Sequence, residues 1–181
     1  MTSTDTRQST ARSKGAVGQQ AIVPRVVRDI LEKHECYQNI LDFGAGPGRK
    51  HVNNLKKQFD RNIQGYDLGD DRDILEESWN LVYASNVLNV QTTIEQLLET
   101  LADLWIAQGD GDLIVNYPKE PRKMGLTPTQ MEECLFKFGW EVERVQGVSK
   151  NNVWKLHKYD KIENFHGSDG VLQTMIPGTF L

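Results

Sequence analysis

The residues with the most chemistry in their arrangement are Asp42-Phe43-Gly44-Ala45-Gly46-Pro47-Gly48. They follow an apolar run, Asn39 to Phe43 (NILDF), that reads as a β-strand. Glycines at a strand end let the backbone turn through positive φ. They also let a ligand approach the main chain with no Cβ in the way. Open α/β sheets bind ligands at the carboxyl ends of their strands, which is where this turn must lie. A dinucleotide site needs Gly-x-Gly-x-x-Gly, so that a pyrophosphate meets the following helix. Here Arg49 stands where that third glycine belongs, and Gly48 comes one residue early. A second carboxylate, Asp67, ends the next strand about twenty residues on. A carboxylate there can accept hydrogen bonds from both hydroxyls of a ribose.

The surrounding pattern supplies the elements that must hold these groups. Apolar residues from Ile22 to Leu31 recur at helical spacing and predict a helix over about 24–36, with Pro24 in its first turn. A helix begins near Arg49, its buried stripe marked by Val52, Leu55 and Phe59. Strands are expected at 63–68 (IQGYDL), 80–87 (NLVYASNV) and 112–117 (DLIVNY). Thr92 with Glu95 reads as a capping box opening a helix that Gly109 and Gly111 close. Thr127, Pro128 and Gln130 start another, which Gly139 stops. Two last strands, about 141–145 and 153–159, read as an antiparallel hairpin. Strands alternating with helices imply an α/β fold with a mostly parallel sheet covered on both faces. One folded domain is expected over 21–161. Residues 1–20 read as a disordered arm and 162–181 as an irregular tail.

The strand, the Asp-x-Gly-x-Gly-x-Gly turn and Asp67 together resemble the class I S-adenosylmethionine-dependent methyltransferases, over about residues 39–160. The resemblance implies a three-layer Rossmann-like fold and S-adenosylmethionine as cofactor. That cofactor carries no phosphate, but it has an ammonium and a sulfonium, which suit a carboxylate such as Asp42. The resemblance assigns Asp42, Gly44, Ala45, Gly46 and Gly48 to the loop and Asp67 to the ribose, and it counts Leu68 among the cofactor-binding residues. Asp73-Ile74 is similar to the family's acidic-then-apolar motif that receives the adenine. Ala84-Ser85-Asn86 matches the segment beneath the sulfonium, which brings Asn86 into the cofactor site. One departure is evident. Between Asp67 and Leu81 the family holds a helix, a strand and a helix, whereas a two-turn helix alone takes ~7 residues. The usual third strand is therefore expected to be reduced or missing, leaving about six strands and an adenine loop without its normal support.

The methyl acceptor is not legible. No proline precedes Cys36 or Cys134, so the Pro-Cys nucleophile of cytosine C5 enzymes is not matched. Asn86-Val87-Leu88-Asn89 replaces the Asn/Asp-Pro-Pro-aromatic motif of amino-methylating DNA enzymes. Asn116-Tyr117-Pro118 looks similar but falls one strand later. The default is direct in-line transfer by positioning and desolvation. Asn86, Asn89, Tyr117 and Lys119 are candidate acceptor-side groups. A catalytically silent cofactor-binding regulatory module is the main alternative; an NAD-binding oxidoreductase is a third reading.

Composition bounds the partners. The chain has 181 residues, 38% of them hydrophobic, and a net charge of −4, which argues against a basic nucleic-acid coat. Lys119, Arg122 and Lys123, with Lys155, Lys158, Lys161 and the arginine-bearing arm, leave an anionic or nucleic-acid substrate open. The four histidines and two cysteines form no metal-ligand spacing, so no metal is expected. No apolar run approaches the ~20 residues of a membrane span. The expectation is a cytoplasmic, soluble protein with no membrane partner.

Overall fold

The computed structural model describes residues 22–121, 123–145 and 151–159. The expected arm at 1–20 and tail at 162–181 lie outside them. The element order is α1 (Ile22–Lys33), β1 (Asn39–Phe43), α2 (Lys50–Lys56), β2 (Asn62–Tyr66), a 3₁₀ turn (Arg72–Glu76), β3 (Leu81–Ala84), a second 3₁₀ turn (Leu88–Val90), α3 (Ile94–Gln108), β4 (Asp112–Pro118), α4 (Pro128–Phe138), β5 (Trp140–Arg144) and β6 (Asn151–Lys158).

The six strands form one sheet in the order β2-β1-β3-β4-β6-β5. β1 pairs in parallel with β2 and β3, and β3 with β4. β6 runs antiparallel to both β4 and β5. Strand residues alternate between the two faces, and the core divides accordingly. Ile40, Ile63, Leu81, Tyr83, Ile114 and Val153 pack with Val27 and Leu31 of α1 and with Val52 and Leu55 of α2. Leu41, Phe43, Val82, Ala84, Leu113, Val115 and Trp154 pack with Leu97, Leu101 and Leu104 of α3 and with Met131 and Leu135 of α4. The structure is thus the expected three-layer, Rossmann-like sheet with a C-terminal antiparallel pair.

As expected, the third strand usual in the family is missing from the segment between β2 and β3. A 3₁₀ turn stands there instead, and β2 is the sheet edge. This turn has its own support. Leu75 and Trp79 are buried, and the Trp79 indole N–H donates to the Ile74 carbonyl at 2.9 Å. Arg72 is ion-paired with the buried Asp103 of α3. The 3₁₀ turn is therefore anchored on the α3 side of the core, although the family's usual edge strand is missing.

Several boundaries differ for identifiable reasons. α1 is already helical at Ile22, the first described residue, and stops at Lys33, short of Cys36. β2 ends at Tyr66, so Asp67 and Leu68 lie in the turn beyond it. β3 is four residues long rather than eight, because Asn86 adopts φ 59° and breaks the extended run. The cap of α3 is Thr93, not Thr92: Thr93 Oγ accepts from the Gln96 N–H, and Gln96 Oε1 accepts from Thr92. Moving the start by one residue still leaves Leu97, Leu101 and Leu104 on the core. At α4 the capping box of Thr127 and Gln130 and the Gly139 stop are as expected. Among the described residues no helix is long and apolar enough to cross a membrane.

Candidate functional site

The carboxyl ends of β1, β2 and β3 carry the residues singled out in the sequence. Phe43 pairs with Tyr66 on one side and with Ala84 on the other, so the three strand ends lie side by side. Past Phe43 the chain turns through Gly44 (φ 80°) and Gly46 (φ 69°), a region that costs other residues dearly. The N–H groups of Gly44 and Ala45 both donate to the Tyr66 carbonyl, at 2.8 and 2.9 Å. The glycine turn is thereby fastened to the end of β2, one residue before Asp67.

On the other side the turn meets β3. A Cβ at Gly44 would stand 2.5 Å from Val87 Cγ2. Only a bare main chain permits this approach. Asn86, immediately before Val87, takes the left-handed conformation, which asparagine tolerates better than most residues. Asn116 of β4 grips it from both ends: its Oδ1 accepts from the Asn86 N–H at 2.6 Å, and its Nδ2 donates to Asn86 Oδ1 at 2.8 Å.

Asp67 sits in a compact turn. Its N–H donates to Asp70 Oδ2 at 2.6 Å, and the Asp70 N–H donates back to the Asp67 carbonyl at 3.0 Å. Arg49, itself at φ 43° before α2, donates to the same Asp70 oxygen at 2.5 Å and also to the Gly65 carbonyl. A cation beside a carboxylate that also takes a main-chain N–H makes a charge-assisted clamp. It ties the loop after β1 to the loop after β2. Leu68 is half-buried in the same turn, Asp73 is exposed on the 3₁₀ turn, and Ile74 packs against the core.

Asp42 lies beneath the glycine turn, 1% exposed. Its Oδ2 has no hydrogen-bond partner, and His51 Nδ1 stands 3.9 Å away. Its register partner on β3 is Tyr83, whose buried hydroxyl interacts with the Asp42 carboxyl. Burial pushes the Asp42 carboxyl up to about 7; the nearby Tyr83 hydroxyl and Arg49 offset part of this, and Asp67 adds to it. Burial likewise raises the Tyr83 phenol well above its ordinary value.

The acceptor-side candidates fare differently. Tyr117 is fully buried and its hydroxyl donates to the Leu126 carbonyl at 2.8 Å, so it is a structural residue. Lys119 is exposed and Asn89 half-buried. Lys155 is paired with Asp112 at the start of β4, and Lys158 donates to the Gly109 carbonyl. Both face the opposite end of the sheet and cannot join Lys119 and Lys123 in one basic rim. Arg122, Lys161 and the arm lie outside the described residues.

No protein-family model and no curated protein sequence matches the chain. Solved structures do. One is a 1,6-didemethyltoxoflavin-N1-methyltransferase from Burkholderia thailandensis, with bound 1,6-didemethyltoxoflavin and S-adenosylhomocysteine. It is 15% identical with a TM-score of 0.52, over 78% of this chain and 80% of the other. The fold is that of the Rossmann-like methyltransferases. A second is the trans-methyltransferase CalH in complex with S-adenosylhomocysteine, 16% identical with a TM-score of 0.51. It is matched over 76% of this chain and 55% of its own length.

Three residues that hold these loops carry little local signal. Asn116 lies one strand past the segment that the motif points to, and Arg49 differs from its surroundings only by standing where a dinucleotide site has glycine. Asp70 is one of several charges in the run Asp70-Asp71-Arg72-Asp73. A polar residue inside an otherwise apolar strand, Asn116 in Asp112–Pro118, was the available signal for the first.

Proposed function

We propose that this chain is an S-adenosylmethionine-dependent methyltransferase that moves a methyl group in line to an acceptor at the mouth of β1, β2 and β3. The observation that carries the reading is the bare turn Gly44–Gly46, fastened to the end of β2 just before Asp67 on a methyltransferase fold. The residues present fit the cofactor on two counts. The turn is main chain without side chains at Gly44 and Gly46, whose φ of 80° and 69° few other residues adopt. Beneath it lies the buried Asp42 carboxyl, pushed up to about 7, which a nearby cation would draw toward its charged form.

When bound, the cofactor supplies an activated methyl group on a sulfonium that is already a good leaving group. Gly44, Ala45, Gly46 and Gly48 offer main chain to its methionine end. Asp42, 1% exposed, acts as a charge under that turn rather than by contact. Asp67 accepts from the ribose hydroxyls, its main chain held by Asp70 and Arg49. Leu68 stands beside Asp67 in the turn after β2, and Asp73 and Ile74 flank the adenine on the anchored 3₁₀ turn. Asn86 borders the sulfonium and the acceptor. The chain's contribution to rate is then orientation and exclusion of water.

Calorimetric titration with S-adenosylmethionine, S-adenosylhomocysteine and NAD(H) tests the reading. The first two should bind and raise the melting temperature; NAD(H) should do neither. Gly46→Val should abolish binding by filling the space at the methionine end, and unchanged affinity of that variant would refute the loop assignment. Labelled methyl from the cofactor, offered with a cell extract fractionated into nucleic acid, protein and small molecules, identifies the acceptor class. The commitment of the Tyr117 hydroxyl to Leu126 and of the Asn86 amide to Asn116 favours one second reading, a silent cofactor-binding module. Cofactor binding with no incorporation in any fraction would select it.

A further inference from the structure

We infer that Asn116 is a positioning residue for the cofactor site, holding Asn86 in its left-handed conformation so that the segment after β3 closes against the glycine turn. The inference rests on the reading of that crevice as a cofactor site.

Asn116 is 1% exposed, inside β4, among Leu113, Ile114, Val115 and Tyr117. A buried side-chain amide in such a strand costs stability unless both of its ends are hydrogen-bonded. Both ends are satisfied by one residue, Asn86, through its main-chain N–H and its side-chain oxygen. The arrangement is specific to φ near 59° at Asn86, which turns that N–H and that side chain toward β4 together. The consequence appears at the next residue. Val87 Cγ2 is brought to the bare face of Gly44, where a Cβ would stand only 2.5 Å away. The Asn116 amide therefore governs how closely the strand-end segment of β3 approaches the turn after β1, and these are two walls of the same crevice. A left-handed residue other than glycine persists only where its surroundings hold it, and strain of that kind gathers at ligand sites.

The test uses S-adenosylhomocysteine, which cannot react, with the full chain. Asn116→Ala removes both bonds, lets Asn86 relax to negative φ, and should weaken binding about tenfold or more. The Asn86 amide proton should also exchange faster with solvent in the ligand-free variant. In an Asn86→Gly background, where glycine holds positive φ without help, Asn116→Ala should cost less than about threefold in affinity. A merely structural role for Asn116 predicts the same loss in both backgrounds. Asn116→Ala binding within about twofold of native, or an equal loss in the two backgrounds, overturns the inference. Should Asn116→Ala fail to fold, Asn116→Asp keeps an acceptor for the Asn86 N–H but loses the Nδ2 donor. Its deficit relative to native should shrink as pH falls and the new carboxyl becomes a donor; equal affinity at every pH overturns the inference. If the native chain does not bind S-adenosylhomocysteine, the cofactor reading fails and takes this inference with it. Native binding with indifferent Asn116 variants sinks the inference alone.

Discussion

Gly44 carries two demands at once. Its φ of 80° excludes side chains on conformational grounds, and Val87 Cγ2 excludes them on steric grounds. Gly44→Ala should therefore cost about 1–3 kcal/mol, the range for a strained backbone or an overpacked contact. Urea denaturation of the ligand-free protein measures it. Val87→Ala in the same background should return part of the loss by removing the clash but not the strain. Full recovery would mean that φ is not a constraint, and no recovery would mean that the contact is not. Asp67 shows the other side of residue-scale reading. Its position at a strand end was legible, because a carboxylate after an apolar run is a sequence feature. The clamp of Arg49 and Asp70 that fixes its turn was not, since that clamp joins two loops separated by a helix and a strand.

At the scale of elements, the segment between β2 and β3 is the informative one. It is too short for the helix, strand and helix that the fold family holds there, and the structure resolves the shortage with a 3₁₀ turn. Leu75 is the apolar anchor of this turn, 1% exposed in the α3 side of the core. Leu75→Ala should destabilise the protein by about 2–5 kcal/mol, the range for emptying a buried leucine site. It should also weaken S-adenosylmethionine binding under conditions where the variant is still folded, because Asp73 and Ile74 ride on the same turn. Chemical denaturation and calorimetry on the one variant separate the two effects; intact affinity would detach the turn from the cofactor. The α3 cap illustrates how local signals mislead by one position. Thr92 with Glu95 and Thr93 with Gln96 are equally good capping pairs by spacing. The structure uses Thr93, with the Gln96 side chain turned back to Thr92 and only 9% exposed.

For the whole molecule, the buried Asp42 links stability to pH. Its pKa is raised by burial from 3.8 to about 7, so the folded state holds a proton that the unfolded chain releases. Stability from this group is full below the unfolded value and declines as pH rises toward the folded value. The melting temperature of the ligand-free protein should fall between about pH 4 and pH 7 on this account. Asp42→Asn should flatten that slope. Cofactor binding should oppose it, because a cation above the turn favours the carboxylate. An identical pH profile for the native protein and the Asn variant would show that Asp42 does not titrate in this window. The opposite end of the sheet, where Lys155 pairs with Asp112 and Lys158 meets Gly109, lies away from this chemistry.

The chain by itself determined the alternation of strands and helices, the turn that must be bare, the acid after β2 and the shortened connector. All of these are local: periodicity, glycine conformational freedom and segment length are read within a few residues of one another. The tertiary structure alone decided the rest. It set β6 between β4 and β5, withdrew Tyr117 and Lys155 from the site, and buried Asp42 beside Tyr83. It also joined Arg49 to Asp70 and Asn116 to Asn86. The physical reason is that hydrogen bonds and burial across strands depend on which elements become neighbours. That choice is made by how a whole core packs, and no stretch of sequence around Asn116 carries it.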